Sequence, residues 1–156
     1  MIRPLRFLTW LCISLAFARG AMAQGTLSFS QLWFGFDQAN LYLRLDPVDQ
    51  AALPEGLNVD FELTGSFGKH RLSAGFPHIS AAPLEREGGA RLGTACGVDI
   101  LEAAVPLEAL GVKAGDRLEL SVAIRKGSVE LQRLPPSGVL AMVAPDAAFD
   151  RLHWKV

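Results

Sequence analysis

Cysteine is scarce in this chain. Two of the 156 residues are cysteine, Cys12 and Cys96. A disulfide-stapled mini-domain is therefore excluded, and stability must come from packing. Cys96, within Thr94-Ala95-Cys96-Gly97, reads as a buried small apolar residue rather than a nucleophile. His70, His78 and His153 have no histidine partner at i+2 or i+4, so zinc-ligand spacing is missing too. No Gly-x-Ser-x-Gly elbow is present, which removes the common serine-hydrolase arrangement. Basic residues are not in excess: 15 Lys and Arg stand against 16 Asp and Glu. Nothing in that balance recommends nucleic acid or an anionic membrane surface as a partner. The apolar run Phe7 to Ala18 falls short of the ~20 residues a membrane span needs.

That run does have a ready explanation. Arg3 and Arg6 precede it, and Ala21-Met22-Ala23 follows with small residues on either side of Met22. A basic start, an apolar middle and a small-residue site together form a secretory signal peptide, with cleavage leaving Gln24 first. Cys12 sits mid-run behind Leu11, where a lipoprotein motif would have a small residue, so no lipid anchor is read there. Residues 1–23 are assigned as the signal and residues 24–156 as one domain, periplasmic or secreted, with no stable membrane anchor. Loss of Arg3, Arg6 and Arg19 leaves twelve basic residues against sixteen acidic, a net charge of −4.

Helical periodicity is missing as well: no stretch of 24–156 sustains it for three turns. Short alternating runs broken by Gly, Pro, Asn and Asp recur instead, which argues for an all-β sandwich. The first is the most informative. Leu32-Trp33-Phe34-Gly35-Phe36 and Leu41-Tyr42-Leu43-Arg44-Leu45 flank Asp37-Gln38-Ala39-Asn40. Pairing Phe36 with Leu41 sets Trp33 opposite Arg44 and Gly35 opposite Tyr42. Leu32, Phe34, Phe36, Leu41, Leu43 and Leu45 then share one face. A second hairpin pairs Thr64 with Lys69 and turns Leu57, Val59, Phe61, Leu63, His70, Leu72, Ala74 and Phe76 inward, with Glu62 beside Arg71 outside. Pro77 to Pro83 reads as a loop, and Leu84-Glu85-Arg86-Glu87 is ambiguous. Arg91 to Ala95 and Val98 to Val105 read as strands, with a bulge or two-sided burial at Ile100-Leu101. Pro106 to Gly111 reads as one helical turn, proline at its start and glycine past its end. Leu118, Leu120, Val122 and Ile124 alternate inward, and Val129 and Leu131 return opposite Ile124 and Val122. Val139 to Val143 and Leu152 to Val156 close the pattern, the latter as an edge strand with Trp154 in the core.

With these segments placed, Trp33-Phe34-Gly35-Phe36-Asp37 followed by Leu41 to Asp46 resembles the start of the C-terminal β-sandwich domain of glycoside hydrolase family 57 (amylase/pullulanase-like) enzymes. Ile100 to Pro106, Leu110-Gly111, Gly115-Asp116, Val129 to Arg133 before Pro135, and Phe149 to Val156 match in the same order. Related sandwiches are the family 9 carbohydrate-binding modules and DOMON domains. The catalytic barrel of the family is missing, and the chain is too short to hold one. The resemblance therefore implies the accessory sandwich alone, without enzyme activity.

Chemistry is weighed on that basis. Asp60, Glu62, Glu119 and Glu130 fall at outward strand positions, which reads as a solvated face rather than a catalytic pair of carboxylates. No cofactor is expected. Asp37 with Asn40, or Asp46 with Asp49, could offer oxygens to Ca²⁺, but both are ordinary turn residues. Some DOMON-like domains hold haem through Met with His or Lys; Met142 instead reads as a core or edge-strand filler. The outer face of the first hairpin is the candidate site. Trp33 and Tyr42, with Arg44 beside them, can present flat ring surface to the C–H faces of a sugar and a polar group to its hydroxyls. The expected ligand is a polysaccharide or oligosaccharide, α-glucans among them. Three plainer readings stand beside it: Arg44 stacks on Trp33, Tyr42 covers Gly35, or the rest of the chain buries this face. The rival function is a structural module that docks on another exported protein.

Overall fold

Alternating apolar residues leave each strand with one face that must leave water, and the chain satisfies this with one curled sheet. The computed structural model describes residues 28–48, 54–146 and 148. Ten strands follow in order: β1 (Phe29–Phe36), β2 (Asn40–Pro47), β3 (Leu57–Gly65), β4 (Gly68–Phe76), β5 (His78–Arg86), β6 (Arg91–Gly97), β7 (Leu101–Pro106), β8 (Arg117–Lys126), β9 (Val129–Leu134) and β10 (Leu140–Val143). The single helical turn α1 (Leu107–Leu110) lies between β7 and β8. Every strand pairing is antiparallel, and the order across the sheet is β1-β2-β7-β6-β5-β4-β3-β8. The far edge of β8 is shared: β10 pairs with Arg117 to Leu120 and β9 with Val122 to Lys126.

The sheet folds over at the β4–β5 boundary, where pairing is confined to Leu72↔Arg86 and Ser73↔Glu85. One layer is then β1-β2-β7-β6, the other β4-β3-β8 with β9 and β10. The ring of Phe29 on β1 meets that of Phe76 on β4 edge to face at 5.6 Å, a contact between layers. Phe29, Leu41, Leu43, Leu45, Phe61, Leu63, Leu72, Val105, Leu118 and Leu120 form one core, each at most 1 % exposed. At about 1.5–3 kcal/mol per buried side chain, this core is the main source of stability.

The two leading hairpins take the expected registers. Trp33 faces Arg44 and Phe36 faces Leu41; Thr64 faces Lys69 and Leu57 faces Phe76. The helical turn is also in place. Gly111 follows it at φ 80°, where only glycine is unstrained, and its N–H returns to the helix carbonyls. His70 is buried as expected; its Nε2 lies 3.1 Å from the Leu110 carbonyl and its ring stacks on Phe67.

Three expectations fail. Residues 78–86, read as a loop and an ambiguous segment, form β5. Pro83 cannot donate to a ladder, and the pairing with β6 is correspondingly irregular on both sides of Ala82-Pro83. The disturbance at Ile100-Leu101 is no bulge: Val98-Asp99-Ile100 is the bend between β6 and β7. The β8–β9 register also differs. Gly127-Ser128 is a two-residue turn, so Val129 faces Lys126, and a shift near Leu131 then sets Gln132 opposite Ile124 and Leu134 opposite Val122. Val129 and Leu131 are thus exposed, 59 % and 39 %, while Gln132 points inward. The predicted strand Leu152 to Val156, with Trp154, lies outside the described residues.

Gln132 uses that inward position. Its Oε1 accepts from the N–H groups of Ser28 and Phe29, each at 2.9 Å, and its Nε2 donates to the Phe29 carbonyl at 2.7 Å. One buried amide thereby joins β9 to the start of β1 and nearly closes the sheet. Gln132→Ala is expected to lower unfolding free energy by roughly 2–4 kcal/mol, since it strands buried backbone groups. Leu131→Ser is expected to change it by less than about 0.5 kcal/mol. Urea denaturation of both variants checks this; the opposite ranking would restore the register with Leu131 inward.

Candidate functional site

The outward residues of β1 and β2 are Gln31, Trp33, Gly35, Asn40, Tyr42, Arg44 and Asp46, and the pleat separates them from the leucines beneath. None of the three candidate side chains is buried over: Trp33, Tyr42 and Arg44 are all partly exposed. A Cβ built on Gly35 would meet no atom within 4 Å, so Tyr42 does not cover this glycine. Open space therefore lies beside Tyr42, on the β1 side.

Two carboxylates orient the aromatic pair. Asp46 Oδ2 accepts the indole N–H of Trp33 at 3.1 Å. The same carboxylate takes Arg44 in a two-point contact, Nε to Oδ1 at 2.6 Å and an Nη to Oδ2 at 3.3 Å. Trp33 and Arg44 are thus joined through Asp46. At the hairpin tip, Asp37 Oδ2 accepts the Tyr42 hydroxyl at 2.7 Å. Asp37 Oδ1 accepts the N–H groups of Ala39 and Asn40 at 2.8 and 2.6 Å, and Asn40 Nδ2 donates to the Tyr42 oxygen at 3.3 Å. Both rings have given their polar hydrogens to carboxylates. What they still offer a ligand is ring surface.

The electrostatics follow from these bonds. Burial, then the hydrogen bond and charge of Asp37, push the Tyr42 hydroxyl up to about 12. Burial alone would raise Asp37, but hydrogen bonds from Tyr42, Ala39 and Asn40 outweigh it and hold the carboxyl below its ordinary value. The Asp46 hydrogen bond raises Arg44, and Glu102, its cross-strand neighbour on β7, adds to this. The face thus carries the carboxylates of Asp46 and Glu102 beside one guanidinium, and that of Asp37 at the hairpin tip. The oxygens of Asp37 and Asp46 accept N–H and O–H donors, and Asp49 lies outside the described residues. Among the described residues, no group of three or more His, Cys, Asp and Glu is placed to hold a metal ion.

Sequence reasoning found the aromatics and the arginine but not their partners. Asp37 and Asp46 were readable as turn residues; their reach to Tyr42, Trp33 and Arg44 depends on side-chain geometry. Met142 is 6 % exposed and packs in the core. Cys96 is half-buried rather than buried, on the outer face across from Glu102.

The other layer's outer face is only in part the solvated surface expected: Glu130 is exposed and Glu119 partly so, but Asp60 and Glu62 are drawn in. Asp60 is only 5 % exposed. Arg125 bridges Asp60 and Glu130 at 3.3 and 3.6 Å, and Arg133 bridges Glu130 and Glu62 at 2.7 and 3.3 Å. Arg71 adds a 3.1 Å bond to Glu62, and Ser73 donates to Asp60 at 2.6 Å. Burial works against the Glu62 carboxylate, but its bonds to Arg71 and Arg133 prevail and lower it. Asp60, Glu62 and Glu130 are each paired with arginines.

Comparison with family models, characterised proteins and solved structures returns no match, so the reading rests on the chain's own residues.

Tyr42 is the chain's one tyrosine, so its titration can be followed without interference. A raised folded-state value means that the neutral hydroxyl stabilises the fold fully below pH 10.0, and that this contribution is lost as pH climbs toward about 12. Phenolate absorbance should accordingly appear near pH 12 in the folded protein, and closer to pH 10 in Asp37→Asn. Coincident titrations of the two proteins would show that Asp37 does not hold Tyr42.

Proposed function

We propose that this chain is an exported, non-catalytic carbohydrate-binding module that uses the outer face of the β1–β2 hairpin. One observation carries the reading. Trp33 and Tyr42 stand partly exposed on one sheet face, their polar hydrogens already bonded to Asp46 and Asp37, with open space over Gly35. Rings fixed by hydrogen bonds lose little freedom when a ligand stacks on them. The sequence supports export through the signal-peptide pattern of residues 1–23. Its resemblance to the accessory sandwich of family 57 glycoside hydrolases supports a glycan ligand, α-glucans first.

The charges narrow the ligand. Three carboxylates, Asp37, Asp46 and Glu102, against one arginine repel an acidic sugar, so the site suits neutral glycans.

A second reading has its own observation. Among the described residues β1 pairs only with β2, and its eight residues, FSQLWFGF, carry no charge. Beyond Phe29, whose N–H and carbonyl are held by Gln132, this uncharged edge can add a strand from another exported protein.

Glycan-array binding separates the two. Neutral polysaccharides, starch and glycogen included, should be retained and polyuronates should not. Trp33→Ala and Tyr42→Ala should each weaken retention by up to about tenfold, the worth of one ring contact, while circular dichroism shows the sheet retained. A blank array, together with a protein that co-purifies through β1, would favour the docking role.

A further inference from the structure

The aromatic pair is one end of a longer feature. Cross-strand registers align Gly35 on β1, Tyr42 on β2, Ala104 on β7 and Thr94 on β6 in a single row on the outer face. The row beside it is Trp33, Arg44, Glu102 and Cys96. In the first row Tyr42 is the only large side chain. Gly35 and Ala104 flank it and Thr94, exposed, ends the row. Apart from Tyr42 the row carries only small side chains, and the charged and aromatic second row runs beside it. Three inter-strand steps of about 4.8 Å give the first row a length of roughly 14 Å. A single sugar ring does not fill that length; three linked rings do.

Row direction matters chemically. Along β2 the outward side chains are Asn40, Tyr42, Arg44 and Asp46, all large and mutually bonded. A chain laid along the strand would ride over those side chains. Laid across the strands, it rests on Gly35, Tyr42, Ala104 and Thr94. Small residues there let it approach the sheet, and the Thr94 hydroxyl can donate to or accept from a sugar hydroxyl. On the next strand Pro83 faces Thr94, and it also lines a cleft of about 330 Å³ between β4, β5 and β6.

We infer that the site takes a linear neutral oligosaccharide of at least three residues, laid across the strands from Gly35 to Thr94, with Ala104 and Thr94 setting the length it recognises. This rests on the carbohydrate reading above and adds the ligand's size and direction to it.

Calorimetric titration with maltose through maltohexaose and cellobiose through cellohexaose tests it. In one of the two series, affinity should rise at least tenfold from disaccharide to tetrasaccharide and then level off. Ala104→Leu puts a large side chain beside Tyr42 and Thr94→Arg blocks the end of the row; each should flatten that dependence on length while thermal melting confirms the fold. Two variants on separate strands guard against a folding defect in either. Binding that ignores length, or a length dependence that survives both variants, overturns the inference and leaves the carbohydrate reading standing. If neither series binds but another neutral polysaccharide is retained on the array, the inference falls for want of its linear ligand. If no glycan of any kind is retained, the carbohydrate reading falls and takes the inference with it.

Discussion

A ten-stranded antiparallel sheet with one apolar face has to curl until that face is enclosed, and the whole architecture answers to this requirement. The chain meets it without a disulfide, since Cys96 is the one cysteine among the described residues and is free. Curling brings the first and last parts of the sheet together, and there the strands no longer pair in register. The Gln132 side chain fills that gap by serving the backbone of Ser28 and Phe29 as a neighbouring strand would. A buried amide is tolerated because both its ends are satisfied. Phe29, fully buried, is held in the core on one side and by this amide on the other.

The same pleat that builds the core leaves the outer face of β1 and β2 free for another task. Six inward side chains fix the hairpin's register, and a slip of one residue would turn every one of them to solvent. Trp33, Tyr42 and Arg44 are therefore positioned by residues on the opposite side of the strands. Their final orientation comes from Asp46 near the end of β2 and from Asp37 in the turn before it. Apolar packing supplies placement and carboxylates supply aim.

Much of this was legible in the sequence. Both leading hairpins, the helical turn and the inward residues of β8 follow from strict alternation and turn chemistry. The failures share a cause: each lies where alternation is interrupted. β5 carries Pro83 and bends around the corner of the sheet. Val98 to Ile100 are apolar enough to pass for strand and form a bend instead. In β9 one irregularity near Leu131 exchanged an expected leucine for Gln132, and no periodicity rule would put a glutamine inside. The candidate site was legible as residue types. Its carboxylate partners and the open space over Gly35 were not, because both depend on distances between side chains. The row from Gly35 to Thr94 joins residues that lie far apart in the chain, and it emerges only once β7 and β6 are placed beside β2.

The arginine–carboxylate chain on the opposite layer has a mechanical meaning. It runs from Arg71 on β4 through Glu62 on β3 to Arg133 and Glu130 on β9, and back through Arg125 on β8 to Asp60. These links lie across the strands, parallel to the backbone hydrogen bonds. A tension applied along the strands must slide neighbours past one another, and so loads the ladder and the ion pairs together. A tension applied across the sheet meets them one after another. The domain is therefore stiffer when pulled lengthwise than when peeled, and the layer that carries the arginine–carboxylate chain behaves as its brace.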